Sequence, residues 1–294
     1  MSRYYDALKR VDQERAASRG GQAGPVPIEE AAAPAPPAAD PATVSSRAGA
    51  VPAAAFAHGM PASGNPLTFD TLLARCAPGR WNPDAKAMLF FNGDENGCGT
   101  KEFCTLRSRL YQMREKMTLK KVLVTSPLRK EGKSFVAANL AQVLSQQQGR
   151  RVLLIDADLR GPSLHSALGT TSTPGLSEYL LGEKDEFSVI QRFARENLLF
   201  IPSGGSVLSP ADTVANGRLK TLLQRVEPLF DWVIIDSPPA VAVSDAKLLA
   251  DHCDGVLMVV RSNATRFEAA RKARQEFADK VLVGVVLNGV AVGS

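Results

Sequence analysis

The stretch from Lys121 to Arg160, KVLVTSPLRKEGKSFVAANLAQVLSQQQGRRVLLIDADLR, constrains this chain more than any other. An apolar run, Val122–Val124, leads into a turn that closes on Gly132, Lys133 and Ser134. Val136, Leu140, Val143 and Leu144 then recur at helical spacing, and a second apolar run, Val152–Ile155, ends on Asp156 and Asp158. Strand, turn, helix and strand in that order build an anion site. A helix N-terminus presents unpaired N–H groups and a partial positive charge. Lys133 can reach the β- and γ-phosphates of a nucleoside triphosphate, and the Ser134 hydroxyl can ligate Mg²⁺. The turn departs from G-x-x-x-x-G-K-[ST]: Pro127 stands at its first position, and Arg129, Lys130 and Glu131 fill the places where glycines often lie.

Further apolar runs follow at Leu198–Ile201, Trp232–Ile235, Val256–Val260 and Val281–Leu287. Helical patterns separate several of them, notably Ala211–Arg225, Ala246–His252 and Arg266–Lys280. Continuously apolar strands alternating with helices predict an α/β fold, a parallel sheet flanked by helices on both faces. Ligands on such sheets bind outside the carboxyl ends of the strands. Asp156 and Asp158 follow one strand and Asp236 follows another, so all three can face the phosphate turn. One or two carboxylates with Ser134 and phosphate oxygens suit Mg²⁺, which keeps several waters. Asp156 or Asp158 can accept a proton from an attacking hydroxyl, and the spacing does not apportion base and metal roles between them. Arg160 reads either as a stabiliser of the transferring phosphoryl group or as a surface salt bridge.

Upstream, residues 20–65 are rich in Ala, Pro and Gly and read as a disordered linker. Residues 1–19 carry Tyr4, Tyr5, Leu8 and Val11 on one helical face, which reads as a docking helix or a frayed end. Residues 66–118 form a lead-in to the nucleotide domain at 119–294, with a short helix in LTFDTLLARC, a strand at Ala87–Phe91 and a helix at Lys101–Met117. The formal net charge of +5 is modest for 294 residues, and no groove-reading element is evident, so no nucleic acid partner is expected. Four cysteines without C-x-x-C spacing and three histidines exclude a zinc cluster and suggest reduced thiols. No run approaches the roughly 20 apolar residues of a membrane span, and no secretory leader is present, so a cytoplasmic location is expected.

TSPLRKEGKS (Thr125 to Ser134), VLLIDADLR (Val152 to Arg160) and WVIIDSPP (Trp232 to Pro239) resemble the Walker A, Walker A′ and Walker B motifs of bacterial tyrosine kinases of the capsular exopolysaccharide type. That group shares the deviant Walker A fold of the cell-division and plasmid-partition ATPases. The resemblance covers about residues 100 to 290. It implies ATP and Mg²⁺ as cofactors, with Glu131, Gly132, Lys133, Ser134 and Phe135 around the phosphates. It also implies Asp156, Asp158 and Arg160 at the catalytic centre, Ser134, Asp156 and Asp236 toward the metal, and Asn288 near adenine. Its usual role is control of polysaccharide export through autophosphorylation. This implies a separate membrane-embedded co-polymerase as activator, peripheral recruitment to the membrane, and homo-oligomers.

Three departures qualify that expectation. The sequence has no tyrosine cluster after its last strand; its tyrosines are Tyr4, Tyr5, Tyr111 and Tyr179, of which Tyr4 and Tyr5 can serve as acceptors. Lys101, Cys104 and Arg107 occupy the positions of the family's E-x-x-R-x-x-R subunit-contact motif, so its last residue alone is kept. Arg129 and Lys130 replace a usual Pro-Gly pair. Two other readings therefore stand beside the kinase: an ATPase switch of the partition type, against which Leu128 at the second-lysine position argues, and a regulatory module that binds ATP without transferring phosphate.

Overall fold

Each long apolar run becomes a strand, and all but the half-buried edge strand at 282–288 place their side chains on two buried faces. In the computed structural model the described residues are 67–290, apart from 86, 91–98 and 194–196, and all lie in one compact unit. The elements in chain order are α1 (Phe69–Arg75), β1 (Ala77–Pro78), α2 (Thr100–Arg114), β2 (Lys121–Thr125), α3 (Lys133–Ser145), β3 (Val152–Asp156), α4 (Leu164–Leu168), α5 (Leu176–Leu181), α6 (Glu186–Val189), β4 (Gln191–Arg192), β5 (Leu198–Ile201), α7 (Pro210–Ala215), α8 (Arg218–Val226), β6 (Trp232–Asp236), α9 (Asp245–Ala250), β7 (Gly255–Arg261), α10 (Phe267–Glu276) and β8 (Leu282–Asn288). The sheet runs β1-β4-β5-β3-β6-β2-β7-β8 and is parallel from β5 to β8. The short β4 pairs antiparallel with β5.

Two apolar layers cover the sheet. Leu123, Leu153, Ile155, Val233, Ile235, Met258 and their neighbours face α1 and α5 through α10. Val122, Val124, Leu154, Ile234 and Leu257 face α2, α3 and α4. This is the three-layer arrangement, a mostly parallel sheet between helices, expected from continuously apolar strands. The helix after the phosphate turn is buried from Val136 to Ser145, because α2 covers the side that the sheet does not. A helix apolar nearly all round requires such a position.

Differences from the sequence reading have local causes. Residues 87–90 form turns rather than a strand. The buried Asn139 amide supplies partners that a strand ladder would otherwise provide: Oδ1 accepts the Leu89 N–H at 2.8 Å, and Nδ2 donates to the Ala87 carbonyl at 2.8 Å. Met88 and Phe90 meanwhile bury their side chains in the α2–α3 layer. The single helix expected over Ala211–Arg225 is two, α7 and α8, because Gly217 adopts φ +84° between them. Helix α2 stops at Arg114, short of Met117. The brief β1, β4, α4, α5 and α6 were not anticipated; each is too short to show a period. The linker at 20–65 and the candidate docking helix at 1–19 lie outside the described residues.

Replacing Asn139 by Ala leaves the Leu89 N–H and Ala87 carbonyl without their partner inside a packed layer. The expected loss is about 2–4 kcal/mol, the scale of unsatisfied buried polar groups, measured as a lower urea midpoint with an unchanged slope.

Candidate active site

The strand order sets the site. The connection after β2 runs to β3 on one side of the sheet and the connection after β6 crosses to β7 on the other, so the winding reverses beside β2, which is where an open α/β sheet binds ligands. The phosphate turn runs from β2 to α3. Gly132 precedes α3 with φ +92°, and a Cβ there would lie 2.0 Å from the Asn288 amide nitrogen. No side chain fits at this position. The first intrahelical bond joins the Val136 N–H to the Gly132 carbonyl, so the earlier amides of α3, those of Lys133, Ser134 and Phe135, point out of the helix end.

Lys133 turns back across this end. Its Nζ lies 2.8 Å from Asp158 Oδ2 and 3.3 Å from Ser134 Oγ. Asp156 and Asp236 are direct register partners on β3 and β6, and both are fully buried. Asp156 accepts the backbone N–H groups of Asp158 and Leu164, each at 3.2 Å. Neither oxygen of Asp236 accepts a well-formed hydrogen bond from the protein. Burial raises the pKa of Asp156, and the Asp236 charge raises it further. Burial also raises Asp236, against the opposing pull of Lys133 and the Ser134 hydroxyl. Burial works to lower the Lys133 pKa, but the charges of Asp236 and Asp158 outweigh it and hold the ammonium protonated. Three carboxylates thus face one cation, an arrangement short of positive charge.

A divalent ion bound with a triphosphate fits that deficit. Asp236 is a buried carboxylate beside Ser134, and neither of its oxygens has a well-formed hydrogen bond from the protein. No three described His, Cys, Asp or Glu side chains converge closely enough to cage a metal alone. A hard ion here needs phosphate oxygens and water as well, the habit of Mg²⁺.

The remaining expected residues divide. Arg160 is held by Asp245 at the start of α9, with Nε to Oδ2 at 2.6 Å and Nη2 to Oδ1 at 3.1 Å. It pins the loop after β3 to α9 rather than joining Lys133. The Phe135 ring packs edge-on against Phe103, with centroids 6.0 Å apart, so only its backbone faces the turn. Asn288 ends β8 and donates Nδ2 to the Glu131 carbonyl at 3.0 Å. Glu131 is itself buried; its Oε2 accepts the Leu128 N–H at 2.6 Å, and its Oε1 accepts the Thr265 hydroxyl. Thr265 and Arg261, whose Nη1 donates to the Lys130 carbonyl at 3.2 Å, were missed from sequence. Their position just past the carboxyl end of β7 was the available signal.

The carboxylate pair predicts a measurable conflict between stability and function. Asp236→Asn removes a buried charge beside Asp156 whose burial outweighs the attraction of Lys133. The free protein is expected to gain about 1–3 kcal/mol, the order of a buried unpaired polar group, and to lose any thermal stabilisation by Mg²⁺ with ATP. Scanning calorimetry with and without the ligand pair measures both.

Residues 130–272 match the family model described as AAA domain. The chain is 36% identical over 192 residues to the tyrosine-protein kinase YwqD of Bacillus subtilis, covering 65% of this chain and 81% of that protein. It is 36% identical over 171 residues to the putative tyrosine-protein kinase EpsB of Ralstonia nicotianae, covering 58% of this chain but only 23% of that longer protein. The kinase domain of the Escherichia coli tyrosine kinase ETK superposes with a TM-score of 0.62 at 31% identity, over 65% of this chain and 76% of that one. With the phosphate turn, the paired strand-end aspartates and these likenesses in agreement, the chain belongs to the bacterial tyrosine-protein kinases.

Proposed function

We propose that the chain is an ATP-dependent protein-tyrosine kinase that phosphorylates itself and regulates exopolysaccharide synthesis or export. The observation that carries the reading is the Lys133–Asp158 pair at 2.8 Å, set beside the unsatisfied Asp236 carboxylate at the end of the phosphate turn. The α3 amides and Lys133 bind the phosphates. Ser134, Asp156 and Asp236 would hold Mg²⁺, directly or through water, and the ion would neutralise phosphate charge. Asp158 stands beyond the strand end. When Lys133 shifts from Asp158 to phosphate, Asp158 is free to take the proton of the attacking tyrosine hydroxyl as the new O–P bond forms and ADP leaves. Arg160 acts at one remove, holding the loop that carries Asp158.

The acceptor follows from the four tyrosines of the sequence. Tyr179 is buried. The Tyr111 hydroxyl accepts the Trp232 indole N–H at 3.2 Å, and its ring packs edge-on to that indole. Tyr4 and Tyr5 lie outside the described residues and are the proposed acceptors. No described helix is long and apolar enough to cross a membrane. A separate membrane-embedded activator, peripheral recruitment from the cytoplasm and assembly with further copies complete the proposal.

Purified protein incubated with Mg²⁺ and labelled ATP is expected to gain label on Tyr4 or Tyr5, located by mass spectrometry. Lys133→Met should reduce labelling by a hundredfold or more, the scale for removing a group that stabilises transition-state charge. Release of free phosphate without protein label would favour the switch reading, and binding without either product the regulatory module.

A further inference from the structure

The phosphate turn is held by a second layer of contacts from the other end of the sheet, which the motifs do not disclose. Its residue Lys130 has φ +63°, in the left-handed region that disfavours any residue carrying a Cβ. Arg129-Lys130-Glu131 therefore cannot keep this shape as a free, glycine-rich loop could. Three contacts from the β7 and β8 ends hold it. Arg261 donates to the Lys130 carbonyl, Thr265 donates its hydroxyl to Glu131 Oε1, and Asn288 donates to the Glu131 carbonyl. Thr265 is itself fixed, since its Oγ1 accepts the Arg261 N–H at 3.1 Å and its N–H bonds the Arg261 carbonyl at 3.1 Å.

The chemistry gives this clamp a direction. Glu131 is a carboxylate one residue before Gly132, beside the place where phosphates bind. Left to rotate, it would repel them. Its two oxygens are instead occupied by the Leu128 N–H and the Thr265 hydroxyl, and it is buried. Holding both carbonyls of Lys130 and Glu131 from behind keeps the amides of the turn facing the ligand.

We infer that Thr265, with Arg261, is a positioning residue for the triphosphate: it holds the Glu131 carboxylate away from the phosphates and keeps the turn set for them. The inference rests on the nucleotide reading of the site. It assigns nucleotide affinity to a loop that follows β7 and lies outside all three sequence motifs.

Titration calorimetry of the full chain with Mg²⁺ and a non-hydrolysable ATP analogue tests it. Thr265→Val keeps the shape and removes the hydroxyl, and the dissociation constant is expected to rise about tenfold or more, the effect of one hydrogen bond to a charged group. Thr265→Ser restores the hydroxyl and should bind within about threefold of wild type, a rescue that a packing role would not produce. Arg261→Gln should weaken binding less, because its contact is exposed. In labelling assays, the KM for ATP should rise in Thr265→Val with kcat little changed. Tight binding by the wild type and equally tight binding by Thr265→Val would overturn the clamp alone. Failure of Thr265→Ser to recover would overturn it too. No binding by the wild type would overturn the nucleotide reading and the clamp together.

Discussion

Two parallel strands in register place Asp156 directly beside Asp236, inside the protein, at the same level of the sheet. Neighbouring strands are only about 4.8 Å apart, and like charges set opposite one another on a sheet repel. The fold tolerates this because Lys133 reaches across from the first turn of α3. Remove the buried β6 strand end and neither the carboxylate pair nor the lysine has a reason to be where it is.

The surrounding architecture serves that juxtaposition. A helix buried nearly all round, α3, fixes the direction of its own N-terminus, since it cannot roll without breaking apolar contacts with both the sheet and α2. Asn139 ties the α2 side of that helix to residues 87–89. Arg160 and Asp245 tie the loop after β3 to α9. The turn between these fixed parts is stiffer in composition than a glycine-rich one, and the β7 and β8 ends brace it. Position, rather than unusual chemistry, separates the residues that face a ligand from those that hold them.

Much of this was legible in the residues. Six of the eight described strands are apolar runs with β-branched content, and all six were read nearly to their ends; burial on both faces leaves a long uninterrupted signal in five of them, and the half-buried edge strand β8 keeps it too. Lys133, Ser134, Asp156, Asp158 and Asp236 could be placed together because each stands at a strand or helix boundary, where topology alone brings them to one edge. Arg160 and Asn288 show the boundary of that method. Their positions were foreseeable, but whether a guanidinium turns to phosphate or to Asp245, and whether an amide faces a base or the Glu131 carbonyl, depends on neighbours remote in sequence. Ala87–Phe91 was read as a strand for the same reason: a buried amide fifty residues downstream satisfies its backbone, and nothing nearby in the chain announces it. Thr265 carries only the weak signal of its place just beyond the carboxyl end of β7, and its partner Glu131 shows only when the turn is seen against it.

The claim that the carboxylate pair and Lys133 form an incomplete charge cluster, finished by a metal–triphosphate, is tested most directly with a paramagnetic ion. Mn²⁺ substitutes for Mg²⁺, and its free form gives a strong electron paramagnetic resonance signal that is lost on binding. With a non-hydrolysable ATP analogue present, the wild-type protein should bind one Mn²⁺ per chain together with the analogue, and superhyperfine coupling should appear when the Ser134 side chain is labelled with ¹⁷O. A signal identical to that of the ion and nucleotide without protein would contradict the account.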